Sequence, residues 1–137
     1  MIFPVSVPIW VRYSDLDTFQ HVNNAVYLSY LEEARTAYYQ ALRGLEPGLP
    51  EFKTLVARSE LDYLRPILLG QQVEVRIRVS AVGNKSFRTV YEIYADGVLA
   101  ARAQTVQVWM SGEGSALVPQ AVRQAIRRLE ADLVEGL

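Results

Sequence analysis

Apolar residues recur at alternate positions from Val5 to Tyr13: Val5, Val7, Ile9, Val11 and Tyr13 fall on one face of an extended segment. A period of two predicts a strand. A polar stretch, Ser14 to Asn24, follows. From Ala25 to Arg43 the chain has no proline or glycine and favours helix, and Gly44 is the expected stop. Leu28, Leu31, Tyr38 and Leu42 make one stripe on this helix, while Val26, Tyr27, Tyr30, Ala34, Ala37 and Ala41 leave it little polar surface. A helix that is apolar nearly all round is expected to be buried by something wrapped around it.

The remaining segments supply the wrapping. Leu55 to Leu64 is a candidate strand, closed by Pro66 and Gly70. Val73 to Val79 alternates strictly, and Gly83-Asn84 reads as a two-residue turn into a strand over Lys85 to Ala95. Asp96-Gly97 is a strong type I′ hairpin signal. Val98 to Met110 alternates imperfectly through Ala101, Ala103, Thr105, Val106 and Val108. Ser111 to Ser115 is a polar loop, and Pro119 to Glu135 reads as an amphipathic helix with Val122, Ile126, Leu129 and Leu133 on one face. The order β-α-β-β-β-β-α describes one α+β domain over residues 1–137, with an antiparallel sheet curled around a long central helix. Its outer face is expected to carry Val56, Leu64, Val90 and Tyr94. An apolar patch and open strand edges predict self-association.

Composition narrows the function. Half of the 137 residues are hydrophobic, and 14 basic residues face 15 acidic ones for a net charge of −1. A chain this close to neutral lacks the footprint of a general nucleic-acid binder. The absence of cysteine excludes disulfides, thiolate metal sites and a cysteine nucleophile. The first residues carry no basic segment ahead of their apolar positions, and no apolar run approaches the ~18 residues of a membrane span, so a soluble, cytoplasmic protein is expected.

Common catalytic motifs are missing. Ser111 and Ser115 do not have the spacing of a nucleophile elbow, and a single histidine excludes a paired-histidine zinc motif. The dense cluster is Arg12-Tyr-Ser-Asp-Leu-Asp-Thr-Phe-Gln-His-Val-Asn-Asn24, in the loop that feeds the long helix. A helix N-terminus presents unpaired amides and a positive dipole end, which can stabilise an oxyanion. Asp15 or Asp17 nearby is then a candidate base or nucleophile. The plainer alternative makes Asn23 or Asn24 an N-cap, the aspartates turn formers and His21 a loop residue.

The stretch RYSDLDTFQHVNNAVYLSYLEEAR resembles the signature of the 4-hydroxybenzoyl-coenzyme A thioesterase family of hotdog proteins. The matching elements are Asp15-x-Asp17, His21-Val-Asn-Asn24, Tyr27 and Leu31-Glu-Glu-Ala-Arg35. They are joined by Leu61-Asp-Tyr-Leu-Arg-Pro66, Gly70 and Lys85-Ser-Phe87. The resemblance implies a hotdog fold and hydrolysis of an acyl-coenzyme A thioester to free acid and coenzyme A. It makes Asp17 the catalytic carboxylate, as base or nucleophile, with helix amides near Asn23 and Asn24 as the oxyanion hole. His21 and Tyr27 support the loop. Arg58, Ser59, Lys85, Ser86 and Arg88 are candidate substrate contacts. Gln20 stands where relatives often have glycine, and Gly83 and Asn84 where some carry basic residues. No metal and no cofactor is implied, coenzyme A being part of the substrate. The expected partners are a small-molecule acyl-CoA and further copies of the chain, as a homodimer or homotetramer with shared active sites. Two alternatives stand beside this reading. One is a thioesterase for acyl carrier protein, docked through Arg127 and Arg128; the other is a non-catalytic acyl-binding module.

Overall fold

A computed structural model describes residues 1–137. Strand β1 (Val5–Ile9) leads through two short 3-10 turns, Tyr13–Asp15 and Asn24–Val26, to helix α1 (Tyr27–Leu45). Four longer strands follow: β2 (Thr54–Tyr63), β3 (Val73–Val82), β4 (Ser86–Ala95) and β5 (Val98–Ser111). A two-residue β6 (Gly114–Ser115) folds back on β5, and α2 (Gln120–Leu129) is the last helix. All pairings are antiparallel, in the order β1-β3-β4-β5-β2. The expected α+β hotdog architecture is present.

The differences from expectation have local causes. β1 stops at Ile9, because its partner β3 begins at Val73, opposite Ile9. α1 runs through Gly44 and ends where Pro47 forces Glu46 out of helical geometry, φ −131° and ψ 85°. Its buried stripe is Tyr27, Tyr30, Leu31, Ala34, Tyr38 and Leu42, whereas Leu28 is exposed. The helix is therefore one-sided; it packs on β1, β3 and α2 and leaves β2 uncovered. Each of its fully buried leucines, Leu31 and Leu42, contributes about 1.5–3 kcal/mol.

The turn after β3 is centred one residue later than expected. The Gly83 amide donates to the Ser86 carbonyl, so Asn84 and Lys85 form the tip. The next hairpin follows its sequence: Asp96 and Gly97 have φ of 49° and 78°, both positive as a type I′ turn requires. On β5 the core-facing residues are Ala101, Ala103, Thr105, Gln107 and Trp109, which turns Val106 and Val108 outward.

The outer face is less apolar than expected. Val90 and Tyr94 lie on it, but Val56 pairs with the buried Gln107 and so faces inward, while Leu64 lies beyond the end of β2. Charged residues occupy much of the rest. Arg76 bonds Glu74 at 2.8 Å and covers the ring of Tyr94 at 4.0 Å.

α2 ends six residues short of the predicted Glu135, because Glu130 is drawn into the core. Its Oε2 accepts from the Tyr38 hydroxyl at 2.6 Å and the Val79 amide at 3.0 Å. Arg78, also buried, lies 3.4 Å from Glu130 and 3.4 Å from Asp132. Burial pushes the Glu130 carboxyl above the usual range, against Tyr38, Val79 and Arg78, which favour its charge. Beyond it the chain is extended: Leu133 faces solvent, Val134 is buried, and Glu135 bridges to Ala81. Gly136 (φ 78°) lies against the Val82 carbonyl, where a β-carbon would overlap the oxygen. No helix is long and apolar enough to cross a membrane.

Candidate active site

The loop before α1 is built around its two aspartates, which do different work. Asp15 is buried at 2% exposure. One of its oxygens accepts from the Arg12 amide at 3.0 Å and the Tyr30 hydroxyl at 2.9 Å, the other from the Arg12 guanidinium at 3.1 and 3.2 Å. Burial works against its charge, but these hydrogen bonds and the guanidinium outweigh it and hold the carboxyl below the usual range. Both oxygens are occupied, one by Arg12 within the loop and the other shared between the Arg12 amide and Tyr30 of α1. Asp15 is therefore an anchor.

Asp17 is only half-buried. Its Oδ1 accepts from the amides of Phe19 at 2.9 Å and His21 at 3.2 Å. The Asp17 amide donates to the His21 carbonyl at 2.8 Å, closing a loop in which Gln20 takes φ 62°. Gln20 thus adopts the backbone shape glycine favours, at a cost of order 1–3 kcal/mol. Oδ2 accepts no hydrogen bond from the protein. Asp17 is thus both the turn former of the plainer reading and a carboxylate with one free oxygen.

That oxygen belongs to a side chain lining an open cleft of about 230 Å³, together with His21, Asn24 and Tyr27. Tyr63, Leu64, Arg65 and Pro66 form the opposite wall. Asn23 caps the helix entry, its side chain accepting from the Ala25 amide at 2.9 Å. The Asn24 amide finds no acceptor within the chain, so it is the free donor at this helix start. Tyr63 closes the wall by donating to the Asn24 carbonyl at 3.0 Å and packing edge-on to Tyr27, ring centroids 4.9 Å apart. Tyr27 is buried, and its hydroxyl is pushed above its usual range by burial and by Tyr63, with backbone contact at Ile67 opposing. The wall from Tyr63 to Pro66 was missed as site material; its one signal was the family-like Leu61-to-Pro66 motif.

The other candidates lie elsewhere. Arg58 and Ser59 sit in the middle of β2, the free edge strand. Arg58 faces outward opposite Val106 and pairs with Glu60; Ser59 faces inward opposite Thr105. Lys85 lies at the opposite end of the sheet from Tyr63, because its carbonyl bonds the Trp109 amide and Trp109 pairs with Thr54. Ser86 and Arg88 line a separate hollow of about 280 Å³ with Glu135 and Gly136. Within one chain they do not meet Asp17. Of the basic residues on α2, Arg128 is engaged with Glu46 and Arg123 with the Gly83 carbonyl. No group of three or more histidine, aspartate or glutamate side chains is close enough to hold a metal ion.

With this geometry established, comparison with known proteins gives consistent matches. The profile of the Thioesterase-like superfamily matches residues 11–126. A thioesterase from Thermus thermophilus, solved in complex with coenzyme A and zinc, is 46% identical, with a TM-score of 0.86 over 96% of this chain and 98% of that one. The 1,4-dihydroxy-2-naphthoyl-CoA hydrolase of Synechococcus elongatus is 29% identical over 107 residues, 75% of this chain and 79% of that protein. YsmA of Bacillus subtilis, whose function is uncharacterised, is 33% identical over 81 residues, 59% of this chain; the match spans 54% of YsmA.

Proposed function

The chain belongs to the thioesterase-like superfamily, and from that premise we propose that it hydrolyses an acyl-coenzyme A thioester to a free acid and coenzyme A. The coenzyme A bound by the Thermus thermophilus thioesterase supports the substrate class. The observation that carries the reading is the Asp17 carboxylate, with one oxygen held by the loop and the other free in a cleft at the start of α1. A closer kinship with 4-hydroxybenzoyl-coenzyme A thioesterases rests on the motif around it.

In the proposed reaction the free Asp17 oxygen takes a proton from a water molecule as that water attacks the thioester carbon. Negative charge gathers on the former carbonyl oxygen, where the Asn24 amide and the positive end of α1 are suited to hold it. The carbon–sulfur bond then breaks, and the departing thiolate recovers the proton from Asp17. Direct attack by Asp17, through a mixed anhydride, is the competing route. A single turnover in ¹⁸O-water bears on the choice: the first route labels only the product acid, and label in Asp17 identifies a mixed anhydride opened at the Asp17 carboxyl carbon. No metal or cofactor has a part in either route.

The free edge of β2 suggests how the separated substrate contacts come together. If two copies pair through β2 about a two-fold axis between Arg58 and Ser59, the Tyr63 end of one strand faces the Thr54 end of the other. The two ends are roughly 30 Å apart along a single strand. Such pairing brings Lys85 of one copy towards the Asp17 cleft of the other. We therefore expect a dimer with shared sites, assembling further to a tetramer, in the cytoplasm. The acyl carrier protein alternative is weakened by the internal engagement of Arg128. A coenzyme A release screen over short, medium, long and aromatic acyl thioesters tests the reading: binding without turnover would identify an acyl-binding module instead.

A further inference from the structure

Asn24 opens the 3-10 turn that runs directly into α1, and two peptide units meet at its α-carbon. Together these units carry four polar groups. The Asn23 carbonyl accepts from the Val26 amide at 2.9 Å, and the Ala25 amide donates to the Asn23 side chain at 2.9 Å. The Asn24 carbonyl accepts from the Tyr63 hydroxyl at 3.0 Å. Three of the four are committed, and the Asn24 N–H is the one left free. Two of the ties are made within the turn itself. The third comes from a residue 39 positions away.

A peptide unit is planar, so a hydrogen bond at one end fixes the direction of the other. The unit that holds the free N–H is tied at its far end by Val26. Its remaining freedom is rotation at the Asn24 α-carbon, and Tyr63 restrains the unit on the other side of that pivot. Tyr63 is itself well held. Its backbone pairs with the buried Ala101 of β5, and its ring packs edge-on to the buried Tyr27. It also lines the cleft that contains Asp17. At this end of the molecule β2 reaches the start of α1 through the Tyr63 hydroxyl.

We propose that Tyr63 is a positioning residue for the oxyanion, acting through Asn24, whose free amide it holds in place. The proposal rests on the thioesterase reading and adds to it a residue that touches no reacting atom. The charge that the amide meets forms only in the transition state, so loss of the tie should lower kcat and leave KM in place. A hydroxyl that merely shaped the cleft wall would move KM as well. The net strength of a neutral hydrogen bond sets the expected loss at about 2- to 10-fold in kcat.

The test is a double-mutant cycle on kcat. Asn24→Pro deletes the free N–H and keeps the carbonyl that Tyr63 binds. Proline suits this position: it follows the Asn23 cap directly, and Asn23 has φ −59° and ψ 135°, the extended form favoured before proline. Asn24→Ala is the reference, because it loses the same side chain and keeps the amide. Tyr63→Phe should lower kcat about 2- to 10-fold in wild type and in Asn24→Ala, with KM unchanged, and should have no further effect in Asn24→Pro. Three results overturn the inference and leave the thioesterase reading standing: no loss in Tyr63→Phe, the same loss in Asn24→Pro as in Asn24→Ala, or Asn24→Pro as fast as Asn24→Ala. A change of oligomeric state in Tyr63→Phe also overturns it, by assigning the hydroxyl to a subunit contact. If wild-type protein turns over no acyl-CoA, the thioesterase reading fails and takes this inference with it. Should Asn24→Pro not fold or be too slow to measure, magnetic relaxation of the Asn24 amide decides. Its order parameter should be about 0.85 in wild type and lower in Tyr63→Phe; equal values overturn the inference.

Discussion

Tyr30 and Asp15 meet in a hydrogen bond of 2.9 Å that ties the loop before α1 to the body of the helix. The tie binds a charged carboxylate, so it depends on pH. The folded carboxyl sits below its unfolded value, and its stabilising contribution is therefore present above the ordinary carboxylate pKa of about 3.9 and lost as pH falls through the lower folded value. Asp15→Asn should cost about 1.5–3 kcal/mol at neutral pH. Urea unfolding near pH 7 and pH 3 should show the gap from wild type narrowing in acid. A gap that widens there would contradict the assignment.

Asp17→Asn should behave in the opposite manner. An amide oxygen can still accept from Phe19 and His21, so the loop keeps its shape, while proton transfer is lost at a cost of about 10²–10⁴ in rate. Near-normal turnover by a folded Asp17→Asn protein would remove Asp17 from the mechanism.

A shared site makes a prediction for mixed subunits. Asp17→Asn chains and Lys85→Ala/Arg88→Ala chains, each impaired alone, should recover measurable activity when unfolded together and refolded. A mixed dimer can rebuild one intact site. If the mixture is no more active than its two components, each chain works alone.

The buried Arg78–Glu130 pair should be intolerant of losing one partner. Arg78→Leu leaves Glu130 in the core without its cation and should cost about 3–5 kcal/mol. Replacing both by leucine should restore part of the loss, as read by a double-mutant cycle in denaturant. A double-variant cost equal to the sum of the two single-variant costs would show that the pair is not coupled.

Turnover should survive exhaustive dialysis against a chelator, since the cleft supplies one carboxylate and one imidazole, a sparse donor set for a catalytic metal. Activity lost on chelation and restored by one added metal would reverse this.

Features governed by near neighbours were legible in the sequence. The Asp96-Gly97 turn is one, because positive φ at two adjacent residues is a local demand. The motif around Asp17 is another, since its partners Phe19 and His21 lie two and four residues away. Misreadings arose where distant groups decide. Glu130 cuts α2 short because Tyr38, 92 residues earlier, claims its carboxylate. The length of β1 is set by where β3 begins. The cleft wall at Tyr63 depends on β2 returning to the start of α1, which no periodicity announces.

The carboxylate of Asp17 also holds the loop in which Gln20 takes its left-handed conformation. This ties the evolution of activity to the evolution of shape. A lineage that gave up hydrolysis could not freely vary position 17, because alanine would release the loop along with the base. Asparagine would disarm the site and keep the clasp. Inactive descendants of this chain should therefore be recognisable by asparagine at position 17, whereas any residue unable to accept the two amides should appear only beside a glycine at position 20.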